Sequence, residues 1–190
     1  MRAAEFNETR SKIVGLANGI VLEIGFGSGY NLPFYKDVRK LYALDPSREL
    51  YGYAKDRIAA APFPVEYLQC SAEDIPLKND SIDTVVSTWS LCSVPDLPKA
   101  LKEIHRVLKP EGRLLFVEHG RSPKKINFAV QKLITPITRL CAGNCHLDRK
   151  MDDFIKCSGF IIESIKMFPE EKKPLMFSYQ GIAIKKTDRF

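Results

Sequence analysis

The sequence predicts an α/β domain whose doubly wound, mostly parallel sheet ends in an antiparallel pair. Three observations carry this. Five short segments rich in Val, Ile and Leu recur between residues 20 and 119, and such near-continuous apolar runs suit parallel strands covered on both faces. Stretches with helical periodicity lie between them, the order of βα units. The last two apolar segments are only about eight residues apart, too few for a parallel crossover of a dozen or more residues.

The first strand is expected at "IVLEIG" (20–25), running into a turn with Gly25, Gly27 and Gly29 that should open a helix. The second, "KLYALD" (40–45), leads to a helix in "SRELYGYAKDRIAA" with Ser47 as its cap. Strands three and four are "PVEYLQC" (64–70) and "IDTVVST" (82–88). "LPKALKEIHRVLKPEG" places Leu97, Ala100, Leu101, Ile104 and Leu108 on one helical stripe and should stop at Pro110 and Gly112. Strand five is "RLLFVEH" (113–119). Residues 120–150 form a long excursion in which "INFAVQKLITPITRL" is amphipathic and interrupted by Pro136. Excursions at the carboxyl ends of strands border the ligand crevice of open α/β sheets, so this one reads either as a substrate lid or as a helix covering the sheet. "FIIESIKMF" (160–168) and "FSYQGIAIK" (177–185) complete seven strands, and "PEEKKPLM" joins them.

At 190 residues, residues 1–190 suit one domain. With 45% hydrophobic and 27% charged residues, a disordered composition is excluded. No apolar run nears the roughly 18 residues of a membrane helix, and the polar start "MRAAEFNETRSK" has no signal-peptide pattern, which predicts a cytoplasmic protein. Five cysteines, an odd number scattered over the predicted elements, suit reduced thiols. "CAGNCH" brings Cys141, Cys145 and His146 close in sequence. Its spacing is not that of a zinc knuckle and no second ligand pair accompanies it, so no metal is expected there. The net charge of +6 gathers after residue 99, in "RSPKK" (121–125), "RK" (149–150) and "EKK" (171–173). That is a solvated basic face or a contact for an anionic lipid surface; without aromatic interleaving or a recognised motif, nucleic acid is not the expected partner. Oligomeric state is not legible.

"EIGFGSG" (23–29) places an acid before a Gly-x-Gly-x-Gly turn, the spacing of which differs from that of dinucleotide-binding folds. Asp45 ends the second strand, where a carboxylate can accept both ribose hydroxyls or instead cap the next helix. With "CSAEDIPLKNDSIDTVVS", "STWSLCSVPD" and "EIHRVLKPEGRLLFVEHG", these segments resemble the class I S-adenosylmethionine-dependent methyltransferases over roughly residues 18–187. The resemblance implies a Rossmann-like seven-stranded sheet with an antiparallel last strand, S-adenosylmethionine as cofactor and S-adenosylhomocysteine as product. It implies cofactor contacts at Glu23, Gly25, Phe26, Gly27, Gly29, Asn31, Asp45, Pro46, Ser71, Ala72, Glu73 and Thr88. Glu23 would hold the cationic methionine end, and glycine-turn amides at a helix N-terminus would meet the carboxylate. Ser71 stands where family members often carry Asp, which leaves the adenine amine to Ser71 or Glu73.

A closer likeness, in "LCSV", "VEHGRS" and "GNCHLDR", is to the methyltransferase-like group that includes thiol S-methyltransferases and, more distantly, to ubiquinone and menaquinone C-methyltransferases. The expected acceptor is therefore a small molecule, a thiol or a quinol-like compound, and the hydrophobic N-terminal anchor of the animal thiol enzymes is not expected. In-line displacement at a sulfonium methyl requires mainly alignment and exclusion of water. If a base takes part, His119 at the end of strand five is the candidate, against a role fixing the following loop. Trp89 is the candidate wall of the acceptor pocket. Two other readings are an NAD(P)-binding oxidoreductase, disfavoured by the glycine spacing and the lack of a second mononucleotide half, and a non-catalytic S-adenosylmethionine-binding module.

Overall fold

The computed structural model describes residues 6–170 and 173–186. Helix α1 (Asn7–Val14) precedes β1 (Asn18–Ile24) and β2 (Asp37–Leu44); α2 (Arg48–Ala59), β3 (Val65–Leu68), β4 (Ile82–Thr88) and α3 (Leu97–Val107) follow. The chain continues through β5 (Leu108–Gly120), α4 (Lys125–Cys141), α5 (Met151–Cys157), β6 (Phe160–Glu170) and β7 (Lys173–Lys185). The sheet order is β3-β2-β1-β4-β5-β7-β6, with β7 antiparallel to both neighbours and every other pair parallel, as the short last connection required. Residues 171 and 172 of that connection, within the "EKK" basic cluster, lie outside the described residues.

Alternating side chains along each strand feed two cores. Val21, Val86, Leu115 and Val117 pack under Ile13 and Val14 of α1 and Ala54 of α2. On the other face Leu22, Ile24, Val85, Leu114 and Phe116 meet Leu97, Leu101 and Ile104 of α3 and Met151 and Ile155 of α5. The chain leaves β1 toward β2 and leaves β4 toward β5, so a crevice opens at the carboxyl ends of these two adjacent strands, the usual ligand position in such a sheet.

Three expectations are corrected. No α-helix follows the glycine turn: the link from Ile24 to Asp37 holds only a 3-10 turn, Leu32–Phe34, opened by Pro33. It is too short to lay a helix back along the sheet, and the positive pole of a helix N-terminus is therefore missing from this turn. Helix α4 is not interrupted at Pro136 but runs through it. Pro136 is exposed, where water can take the carbonyl bond that the ring omits. Helix α3 stops at Val107, before Pro110, because β5 begins at Leu108 and absorbs Lys109–Gly112, with Glu111 at φ 64°. Among the described residues no helix is long and apolar enough to cross a membrane.

Candidate cofactor site

Gly25, Gly27 and Gly29 have φ of 67°, 56° and 76°, a region that L side chains rarely adopt. A Cβ at Gly25 would collide with Ser90, so glycine there lets the turn lie against the loop leaving β4. Backbone amides of Gly25 and Phe26 both donate to the Leu44 carbonyl, at 2.8 and 3.0 Å, which sets the turn across the end of β2. Asp45 completes the joint: Oδ2 accepts from Gly27 N and Oδ1 from Ser47 N, each at 2.8 Å. The cap of α2 is Ser47, whose hydroxyl accepts from Leu50 N. Each Asp45 oxygen keeps a second lone pair for a ligand hydroxyl.

Two cavities of about 370 Å³ and 280 Å³ adjoin at Gly25, Gly27, Leu50, Trp89 and Ser90. The larger has apolar walls from Ile24, Leu44, Pro46, Val94 and Pro95, with Asp45, Ser71 and Ala72 at its polar side. The smaller is lined by Arg10, Glu23, Phe26, Ser28, Tyr30, Asn31 and Thr88.

In the smaller cavity the buried Glu23 carboxyl accepts from Asn31 Nδ2 (2.9 Å) and Tyr35 Oη (2.6 Å). Asn31 Nδ2 also reaches Thr88 Oγ1 (3.0 Å), and Asn31 Oδ1 accepts from Arg10 Nε (3.0 Å). Burial raises the Glu23 pKa to about 8, against Tyr35, Asn31 and the Arg10 charge, which pull it down. Arg10 is buried, with its guanidinium 5.0 Å from the Trp89 ring, and its Nη1 is buried without a hydrogen-bond partner among the described residues. A buried guanidinium nitrogen without an acceptor is costly, and a ligand carboxylate would satisfy it. An adenosine at the apolar end and a zwitterionic amino acid at the polar end therefore fit this pair of cavities.

All the residues expected to contact the cofactor line one cavity or the other, except Gly29 and Glu73. Gly29 serves the turn: a Cβ there would press on the Phe26 ring at 3.1 Å. Glu73 is taken by Ser71 Oγ (2.9 Å) and by Asp96 N (2.6 Å). Trp89 lines both cavities, with φ 54° and its ring edge-on to Phe6 at 4.6 Å, and its Nε1 has no partner among the described residues. His119 lines neither; one ring nitrogen faces Cys92 and Cys145, and the other lies 2.9 Å from Glu170. Burial works to lower its pKa, and the contacts with Cys92 and Glu170 outweigh that, holding it at about 9. Sequence reasoning missed Arg10. Its signal was present: Phe6, Arg10, Ile13 and Val14 are all buried and spaced as one helical stripe, with a cation set among apolar residues.

The loop after β4 forms the shared wall and is held from two sides. Buried Glu118 accepts from Ser87 Oγ (2.6 Å), Ser90 N (3.2 Å) and Cys92 N (3.0 Å). Arg149 donates to the carbonyls of Leu91, Cys92, Val94 and Pro95. "LCSV", "VEHGRS" and "GNCHLDR" thus meet at one place, and Arg149, counted with the basic face, is a staple for this loop. From the 120–150 excursion only Gly143 reaches the larger cavity wall. The outer side of α4 exposes Ile126, Leu133, Ile137 and Leu140.

Residues 22–116 match the family model described as a methyltransferase domain. The chain is 33% identical over 144 residues to a thiol S-methyltransferase of Rattus norvegicus, covering 72% of this chain and 58% of that protein. It is 31% identical over 113 residues to a ubiquinone/menaquinone biosynthesis C-methyltransferase of Klebsiella pneumoniae subsp. pneumoniae, covering 57% and 41%. The chain thus matches only about two-fifths to three-fifths of the length of these curated relatives. An S-adenosylmethionine-dependent methyltransferase structure from Mesorhizobium loti superposes with a TM-score of 0.73 over 95% of this chain and 98% of that one; at 17% identity the likeness speaks for the fold. The matched half of the sequence, the sheet order and the glycine turn converge: the chain belongs to the class I S-adenosylmethionine-dependent methyltransferases.

Proposed function

We propose that the protein transfers the methyl group of S-adenosylmethionine to a small apolar acceptor, a thiol or a quinol-like compound. The observation that carries the reading is the unpartnered Arg10 Nη1 beside buried Glu23, an anion site and a cation site in one cavity that adjoins an apolar one ending at Asp45. When bound, the cofactor supplies an electrophilic methyl on a sulfonium. Arg10 would take the methionine carboxylate and Glu23 its ammonium; the amides of Gly25, Phe26, Gly27 and Gly29 donate within the protein, to Leu44, Asp45 and Phe26, so the turn shapes the site and the carboxylate falls to Arg10. Asp45 would accept the ribose hydroxyls, and Ser71, which lines the larger cavity while Glu73 is engaged elsewhere, would accept the adenine amine.

Among the described residues lining the two cavities there is no histidine. On this reading the acceptor brings its own lone pair, and the protein's contribution is alignment and a dry wall in which Trp89 is the largest side chain. The names of the relatives support the acceptor class. We further read the apolar outer side of α4, with exposed Lys124 and Lys125 beside it, as a place where the protein touches an anionic lipid surface that carries apolar acceptors. Calorimetry with S-adenosylmethionine and S-adenosylhomocysteine, followed by methyl-labelled cofactor with a panel of thiols, phenols and quinols, tests the proposal. No binding removes the cofactor assignment. Binding without transfer to any member leaves a non-catalytic module instead of an enzyme.

A further inference from the structure

Cys92, Cys145 and His119 are each buried, yet they come from three separate places in the chain: the loop after β4, the loop after α4 and the end of β5. Their ligating atoms lie within 4.8 Å of one another. The two Sγ atoms are 3.7 Å apart, and His119 Nδ1 is 3.8 Å from Cys92 Sγ and 3.5 Å from Cys145 Sγ. A tetrahedral zinc ion with bonds of about 2.3 Å to sulfur and about 2.0 Å to nitrogen sets two sulfurs about 3.8 Å apart and sulfur from nitrogen about 3.5 Å apart. The triangle has those dimensions. His119 Nε2 is 2.9 Å from Glu170 Oε1, the outer carboxylate that commonly orients a metal-bound imidazole.

We propose that Cys92 Sγ, Cys145 Sγ and His119 Nδ1 bind a thiophilic divalent cation of the zinc class, with Glu170 positioning the imidazole and a small donor such as water at the fourth vertex. Binding displaces the proton from each of the three ligand atoms, so two thiolates neutralise the dication, the imidazole keeps only its Nε2 proton toward Glu170, and the displaced protons leave to solvent. Glu118 and Arg149 hold the backbone on either side of Cys92, and His146 N donates to the Cys92 carbonyl, so the ligands are presented by backbone already fixed. The local "CAGNCH" grouping is not the site. Cys141 is exposed and bonds the Ile137 carbonyl, while Cys145 turns inward to partners 53 and 26 residues away. The cation would pin the loop whose Ser90, Ser93, Val94 and Pro95 wall the larger cavity, together with neighbouring Gly143. The site itself is independent of the methyl-transfer reading; only its effect on cofactor affinity rests on it.

The test uses the full chain purified without a polyhistidine tag and dialysed against metal-free buffer. Mass spectrometry of the metal content is expected to find about one zinc per chain, and X-ray absorption to find two sulfur neighbours at about 2.3 Å with nitrogen or oxygen at about 2.0 Å. Cys92→Ser and Cys145→Ser lose the cation, whereas Cys157→Ser, at an exposed thiol, retains it. Glu170→Gln leaves all three ligands and weakens zinc affinity about 10- to 100-fold in competition with a chromogenic chelator. Should the cysteine variants fail to fold, cobalt titration of the unaltered chain decides, through thiolate charge-transfer bands and tetrahedral d–d bands. A chain that is metal-free and takes up neither zinc nor cobalt overturns the proposal. So does a metal content unchanged in both cysteine variants, or a metal without sulfur neighbours.

Discussion

Glu23→Gln is expected to abolish a pH dependence of cofactor binding that the unaltered protein shows. In the free protein burial holds the Glu23 pKa at about 8, so near pH 7 the carboxyl is mostly protonated. Ionising it at about pH 7 costs about 1.4 kcal/mol, one pKa unit. The ammonium of the cofactor's methionine end favours the ionised form, since an opposite charge nearby lowers a carboxyl pKa. Binding therefore releases about one proton, and the association constant rises about tenfold per pH unit up to about pH 8 and then levels. Isothermal titration in buffers of different ionisation enthalpy reads the proton count, and titrations across the range read the slope. The ligand's own amine titrates identically with both proteins, so the difference between the two profiles isolates the carboxyl. Parallel profiles for Glu23→Gln and the unaltered protein refute the assignment. The sign carries over to stability: a carboxyl with a raised folded pKa holds more protons folded than unfolded, so the free protein loses stability as pH rises from 4.5 toward about 8. Saturating cofactor counters that loss.

Arg10→Met keeps most of the bulk over Trp89 and removes the charge; S-adenosylmethionine and S-adenosylhomocysteine are both expected to bind about 10- to 100-fold more weakly by calorimetry, the usual worth of a charge-assisted bond. An unchanged affinity would place the carboxylate elsewhere. Gly25→Ala meets both a positive φ, costing about 1–2 kcal/mol, and the Ser90 side chain, so its melting temperature falls. Adding Ser90→Gly restores only the part due to collision, and complete rescue would deny the backbone strain. Leu133→Asp with Leu140→Asp, at positions 77% and 91% exposed, is expected to abolish flotation with anionic vesicles without changing the melting temperature. Flotation that persists rejects α4 as the contact.

What the sequence revealed and what it hid have separate physical causes. Strands β1, β2, β4 and β5 were legible from the later part of each, where burial extends to both faces and forces an apolar run in the chain itself. The antiparallel β6–β7 pair was legible from the reach of its connection alone. Helix α1 was not, because eight residues of mostly polar character make no helix by propensity; it exists by packing Ile13 and Val14 onto Val21. The glycine turn misled in the opposite way. Its residues do specify a left-handed turn, but the helix expected behind it depends on a length of chain that Leu32–Phe34 and Pro33 do not provide. These two errors are linked. The positive end that a helix would have offered to a carboxylate is absent, and Arg10 on the unforeseen helix stands in the same cavity with a nitrogen to donate. The Cys92, His119 and Cys145 triangle shows the limit of spacing rules in general. A zinc knuckle is written locally, whereas here the fold makes the neighbours, because β4 and β5 are paired side by side and their carboxyl ends lie together. In a parallel sheet, chemistry assembled at adjacent strand ends has no fixed sequence interval, so it becomes legible only once the strand order is known.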